Sequence, residues 1–362
     1  MDTLTHIALG ACIGEALATK QVGRRALAMG ALAQSISDID FTCAFWLEPS
    51  SNVLAHRGFT HSFLFMALVA PLLAAAVHKW GRSPVSFLFW LRFFAIQVAV
   101  HIVLDAFNAY GTGWFEPFSH ERISFHMLFV ADPFFSVPLG IACLVLLIQP
   151  VSSSGRMYWA LGSMLLSTAY LGYGVTNKLR IDAQVRTALA EQNMPDSHYF
   201  TTPTPFNNWL WYVVVSYDSG SYIGYRSVFD ERDGIDLHYF PRQDSLLSLA
   251  IHPHEVDHLK RFSQGHYTVA WEGDTLVFND LRFGQMIGWQ DPRAGFVFHY
   301  YLYPDLDNHL VLQRGRFANW DRSATRALIR RIRGNRISDP KFKENLNELE
   351  ELKKMSVELM ND

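Results

Sequence analysis

The chain has 362 residues, a net charge of −3 and 49% hydrophobic residues. That near-neutral balance gives no basis for nucleic acid or an anionic surface as the main partner. The three cysteines (Cys12, Cys43, Cys143) all fall in apolar segments of the first half and in no CxxC spacing, so they read as small core residues rather than a disulfide framework or zinc ribbon. The opening Met1-Asp2-Thr3 lacks a basic n-region, and no cleavable signal peptide is expected.

Charge is unevenly distributed. Residues 63–77, 134–148 and 157–175 contain no Asp, Glu, Lys or Arg, and 85–104 contains only Arg92. Six helical segments are predicted: Leu4–Ala18, Ala26–Leu47, Ser62–Val77, Val85–Leu104, Phe134–Ile148 and Met157–Val175. Several uncharged runs in one half of the chain suit membrane spans better than soluble core helices, although two of them fall short of roughly 18 residues. The first two segments are shorter or more polar than ordinary spans and suit re-entrant or packed helices.

Basic residues follow the first, third and fifth segments (Lys20, Arg24, Arg25; Lys79, Arg82; Arg156). The intervening loops carry Glu48, Glu116, Glu121 and Asp132 against Arg57 and Arg122. The positive-inside rule therefore puts the basic loops in the cytoplasm. His6, Asp38/Asp40, His56/His61, His101/Asp105 and Asp132 then gather on the opposite, extracytoplasmic face.

From about Asn177 the pattern changes. Trp209–Tyr217, Ser221–Phe229, His266–Trp271, Thr275–Phe278 and Gly295–Tyr303 are rich in aromatic and β-branched residues and are separated by turn signals, which predicts strands. The Pro-containing stretch 201–205 reads as the entry to this domain. The expected architecture is an α-helical membrane bundle (1–176), a β-rich α+β soluble domain (177–320) and a helical tail (321–362). In the tail, the arginines between Arg322 and Arg336 read as a solvated helix face rather than a phosphate site, followed by an acidic stretch, Glu344 to Glu351.

Chemistry concentrates in His56-Arg57-Gly58-Phe59-Thr60-His61-Ser62, directly before an apolar run. So many polar groups at the mouth of an apolar helix are costly to order unless they bind something. His101 and Asp105, at i and i+4, share a helix face. Mixed nitrogen and oxygen donors from His6, Asp40, His56, His61, His101 and Asp105 suit a divalent ion, zinc first and manganese as an alternative. The expected chemistry is hydrolysis. Asp38 or Asp40, whichever is not a ligand, would serve as general base, and Arg57 would either clamp a phosphate oxygen or pair with an aspartate. A second motif, His254-Glu255-Val256-Asp257-His258, fits the HExxH pattern of zinc proteases, but Gly265 ends any helix soon after it. A charged surface helix is the simpler reading.

The opening Met1-Asp2-Thr3-Leu4-Thr5-His6, then Ser37-Asp38-Ile39-Asp40, the segment 56–62, and His101-x-x-x-Asp105 followed by Tyr110-Gly111 resemble the YdjM-like membrane-bound metal-dependent hydrolases. The resemblance covers about the first 135 residues. It implies a multi-pass bacterial inner-membrane protein. More distantly, the pattern is similar to the zinc phospholipase C and single-strand nuclease group. That likeness implies Asp40, His56 or His61, His101 and a bridging Asp105 as ligands, with His6 on a neighbouring ion. His120, His126 and Asp132 are the candidates for a third ion, and one or two ions are expected. The expected function is a membrane-bound metal-dependent hydrolase of a phosphoester, with a lipid-derived substrate suggested by the position at the bilayer edge. The alternative is a non-enzymatic membrane protein with a structural metal site and a β-domain that docks a partner.

Overall fold

A computed structural model describes residues 1–80, 85–194, 198–217, 219–304, 306–309, 315, 318 and 320–335. The first half is helical. Helix α1 (Thr3–Val22) starts at Asp2, whose side chain accepts a hydrogen bond from the Thr5 amide, and ends at Gly23 in a left-handed conformation. Helix α2 (Arg25–Ser35) packs back on α1 at very short range: a Cβ added to Gly30 would lie 2.0 Å from the Gly10 carbonyl oxygen. Small residues at this crossing let the backbones touch.

The predicted second segment breaks at Ile36. A 3-10 stretch, Ser37–Phe45, continues it and carries Asp38 and Asp40. The Ser35 hydroxyl bonds back to the Ala31 carbonyl, and side chains of this kind compete with the helix ladder. A short helix α3 (Pro49–Ala55) and a 3-10 turn, Phe59–His61, lead to α4 (Phe63–Trp80) and α5 (Phe87–Asp105). Helix α6 (Pro133–Ile148) is capped by Asp132. Leu128, Leu139 and Leu146 fill the core against α1, while Trp90, Phe93 and Phe94 of α5 pack with alanines of α1, α2 and α4.

Among the described residues, α5 is the one helix long and apolar enough to cross a membrane. Residues Pro49–His61 and Phe63–Lys79 pass the same test as a pair bent by 60°. Each of the six predicted segments is helical among the described residues, but length and composition support fewer than six spans.

Helix α7 runs without interruption from Gly155 to Glu191, well past the predicted end at Val175. Beyond Lys178 its surface becomes charged, yet Ile181, Val185, Ala188 and Leu189 keep a helical apolar stripe. That stripe packs on an antiparallel sheet, β1 (His198–Pro203), β2 (Leu210–Tyr217), β3 (Gly220–Ser227) and β4 (Leu237–Pro241), in sequential order. Strands β1 and β4 were not among the predicted strands; β1 lies partly in the Pro-containing stretch, and Pro203 occupies the end of an edge strand, where no ladder donor is needed. A second sheet, β5 (Tyr267–Glu272), β6 (Thr275–Gln285) and β7 (Phe296–Tyr303), is also antiparallel. Tyr212, Val214 and Ile223 of the first sheet meet Leu281 and Phe296 of the second.

Helix α8 (Pro253–Ser263) covers the second sheet with Val256, Leu259 and Phe262, and the same cluster takes in Val53, Leu54 and Tyr110 from the helical half. The β region is therefore seated directly on α3 and on the loop that follows α5. In the tail, a helix spans Arg322–Ile332, with Leu328 packed near Leu210 and Trp289. Arg331 is buried and pairs with Asp230 at 2.6 Å, so this arginine is not a solvated one. Arg82, Arg336 and the acidic stretch Glu344–Glu351 lie outside the described residues.

Candidate metal centre

His101 and Asp105 occupy the last turn and a half of α5, one above the other, both fully buried. The 3-10 stretch after α2 brings Asp38 to them, and the turn Phe59–His61 brings His61. Four ligand atoms, one from each of these residues, lie within 4.8 Å of one another. His61 Nε2 is 3.1 Å from His101 Nε2, 3.7 Å from Asp38 Oδ1 and 3.2 Å from Asp105 Oδ2. His101 Nε2 is 3.5 Å from Asp38 Oδ1 and 3.7 Å from Asp105 Oδ2. A tetrahedral site with bonds of about 2.0–2.2 Å requires ligand–ligand edges of about 3.3–3.6 Å. The residues present therefore fit a divalent ion. Asp105 Oδ2 is buried, and its near neighbours are His61 Nε2 and the Arg57 guanidinium, each at 3.2 Å.

The surrounding groups hold these four in place. His6 stacks on the His101 ring at 3.8 Å; its Nε2 lies 3.0 Å from Asp105 Oδ1 and its Nδ1 3.3 Å from Gln34 Oε1. The Met1 amino group also packs against Asp105 Oδ1. Arg57 is buried, with Nε 3.2 Å from Asp105 Oδ2, Nη1 donating to Asn108 Oδ1 at 2.7 Å and Nη2 to the Met1 carbonyl at 3.1 Å. The face of Tyr110 lies 4.8 Å from its guanidinium.

Asp40 is engaged elsewhere. Its Oδ2 accepts from the Arg57 amide and, at 3.3 Å, from the Thr60 hydroxyl, while Oδ1 is 3.3 Å from His56 Nδ1. Burial pushes the Asp40 carboxyl up, but the hydrogen bond and charge of His56, with His61 and the Arg57 amide, bring it below the ordinary value.

Of the expected ligands, His61, His101 and Asp105 converge, and Asp38 joins them. His6, Asp40 and His56 surround the group without entering it. The candidates for a third ion are dispersed: Asp132 caps α6 and accepts from the Tyr170 hydroxyl, His120 pairs with Glu116, and His126 stacks on Phe200. The HExxH residues do not share a centre either. His254 faces Glu48, His258 faces Ser50, and Glu255 accepts from the Tyr300 hydroxyl. Among the described residues no other group of three or more His, Cys, Asp or Glu side chains converges. Gln34 and Asn108 escaped sequence reasoning; Asn108, three residues past Asp105, carried the only available signal.

A cleft of about 580 Å³ reaches this centre from outside, bordered by Asp38, Asp40, His56, Arg57 and Tyr110. The side chain of Asp38 is 15% exposed, whereas those of His61, His101 and Asp105 are sealed.

The ligand cluster sits at the end of α5, the one described helix long and apolar enough to cross a membrane, an arrangement compatible with a helical membrane protein. The chain belongs to the YdjM inner membrane protein family, whose pattern matches residues 1–181. It is similar to inner membrane protein YbcI of Escherichia coli (strain K12), with 35% identity over 122 residues, 33% of this chain and 69% of YbcI. It is also similar to the uncharacterized protein YfhP of Bacillus subtilis (strain 168), 29% identical over 144 residues, 37% of this chain and 42% of YfhP. The match thus spans less than half of YfhP. No solved structure matches the chain. The family description and the name of YbcI support an inner-membrane location.

Proposed function

We propose that this protein is a multi-pass inner-membrane hydrolase that cleaves a phosphoester with the help of a divalent ion, zinc in the first instance, held by Asp38, His61, His101 and Asp105. The convergence of these four donors, with Asp38 opening onto a cleft, carries the reading. A bound divalent ion would polarise a phosphoryl oxygen and acidify water. The access through Asp38 favours a catalytic site over a closed structural one.

The chain's own groups have distinct tasks. His56 borders the cleft and is one-third exposed, so it can take a proton from the attacking water. Asp40 fixes its orientation through Nδ1. Arg57 and His6 position the two oxygens of Asp105, and Gln34 fixes the His6 ring. The positive-inside pattern supports an extracytoplasmic centre, with the β region on the same side.

The test is elemental analysis of detergent-purified protein beside the His101→Ala/Asp105→Ala variant, followed by turnover of soluble phosphoesters. Zinc or manganese at about one equivalent or more, lost together with turnover in the variant, is the expected result. Absence of metal after reconstitution would refute the hydrolase and favour a membrane interaction protein.

A further inference from the structure

The cleft has two unlike walls. Asp38, Asp40, His56 and Arg57 form its polar floor; Leu32 near the end of α2, with Ile39 and Phe41 from the 3-10 stretch, forms its apolar lip. These three side chains are 72%, 48% and 63% exposed. Asp38 and Ile39 are adjacent in sequence, so the ligand cluster and the apolar lip share one backbone segment.

A contiguous apolar patch beside a functional cleft marks contact with a partner or with lipid. In a chain of an inner-membrane family, exposed large apolar side chains at such a lip suit contact with lipid. A water-borne substrate has no use for that lip, whereas an amphiphile can leave its chains among Leu32, Ile39 and Phe41 while its head reaches Asp38 and His56.

Resting on the hydrolase reading above, we propose that the substrate is a membrane lipid with a phosphate-bearing head, and that it enters sideways from the bilayer over the lip formed by Leu32, Ile39 and Phe41. The lip holds the acyl chains and the cleft floor holds the phosphate.

The experiment compares binding of dioleoyl phosphatidic acid in detergent micelles with that of water-soluble dibutyryl phosphatidic acid, which has the same head. It uses the metal-loaded full chain, with turnover of both followed in parallel. The long-chain lipid is expected to bind at least about tenfold more tightly, with Ile39→Ser/Phe41→Ser cutting that ratio by about as much. Metal content reports whether the variant is intact, and Ile39→Leu/Phe41→Leu should restore the preference. Equal affinities, a ratio unmoved by the serine variant, or binding of neither compound would overturn the inference. Chain-length preference without turnover would instead sink the hydrolase and leave the lipid portal standing. Turnover of the soluble compound without chain preference would do the reverse.

Discussion

Asp40 Oδ2 accepts a hydrogen bond from the backbone amide of Arg57 at 2.6 Å, and Arg57 itself sits in the left-handed region with φ 57°. A residue with a Cβ pays for that conformation unless its surroundings hold it. The carboxylate therefore clamps the loop that delivers His61. The Thr60 hydroxyl, 3.1 Å from His61 Nδ1 and 3.3 Å from Asp40 Oδ2, extends the grip to the imidazole, and is a nearer partner than the carboxylate itself at 3.5 Å.

Asp40→Asn keeps the shape but weakens these contacts. Metal affinity is expected to fall about 10–100-fold, the usual cost of losing an outer partner of a metal ligand. Thr60→Ala should lower it by less. Competition with a chelator of known affinity measures both; an unchanged affinity in Asp40→Asn would show that the loop is held by other means.

The α1–α2 contact makes a second prediction. A methyl added in Gly30→Ala would collide with the Gly10 backbone, which has no room to retreat within a helix. The helices must separate, at a cost of about 1–3 kcal/mol, and the displaced α2 carries Asp38 with it. Reduced metal binding and a lower thermal midpoint in detergent are expected. Gly162→Ala, inside α7 where nothing lies within 4 Å, should leave metal binding unchanged and should not lower the midpoint.

Glu15 and Arg156 form a buried pair at 2.6 Å, and Arg156 also donates to the Leu146 and Gln149 carbonyls at the end of α6. Glu15→Ala leaves a buried guanidinium half satisfied and should cost about 3–5 kcal/mol. A double-mutant cycle with Arg156→Met is expected to show strong coupling; additive losses would mean that the carbonyl contacts, not the ion pair, hold the helices.

Burial raises the Asp132 carboxyl to about 6, against the partial relief given by the Tyr170 hydroxyl and the Phe134 and Phe135 amides. A folded value above the unfolded one means the native state binds the proton more tightly. This residue thus favours folding below about pH 4 and withdraws that support as pH rises to about 6. The difference in thermal midpoint between Asp132→Asn and wild type should therefore change across that window, with the variant gaining relatively at the higher pH. A pH-independent difference would place the carboxyl at its ordinary value.

Glu255→Gln should leave metal content untouched, because Glu255 serves the Tyr300 hydroxyl and its flanking histidines face different partners. Loss of metal in this variant would revive the protease motif.

Much of the candidate centre was legible because local spacing carried it: His101 and Asp105 share a helix face, and the segment 56–62 stands out by composition alone. The choice between Asp38 and Asp40 was not, because it depends on the 3-10 geometry after Ile36, which sequence periodicity read as continuous α-helix. In the second half, aromatic and β-branched runs between turn signals revealed β2, β3 and the second sheet. That signal missed β4, whose residues are only partly buried, and β1, which ends in Pro203 at the start of a linker-like stretch.

The change in composition near residue 177 also concealed the continuity of α7. One end of this helix supplies Ala160 and Met164 to the bundle; the other supplies Ile181, Val185 and Leu189 to the first sheet. The chain therefore has no seam where its chemistry changes. Severing it at residue 177 would take from the helical half the Phe283 ring that backs Tyr110 beside Arg57, and a fragment starting a few turns later would lose the wall against which Trp211 and Val213 are packed. A soluble fragment of the β region must carry its share of that helix with it, so the border between the halves is drawn by packing and not by polarity.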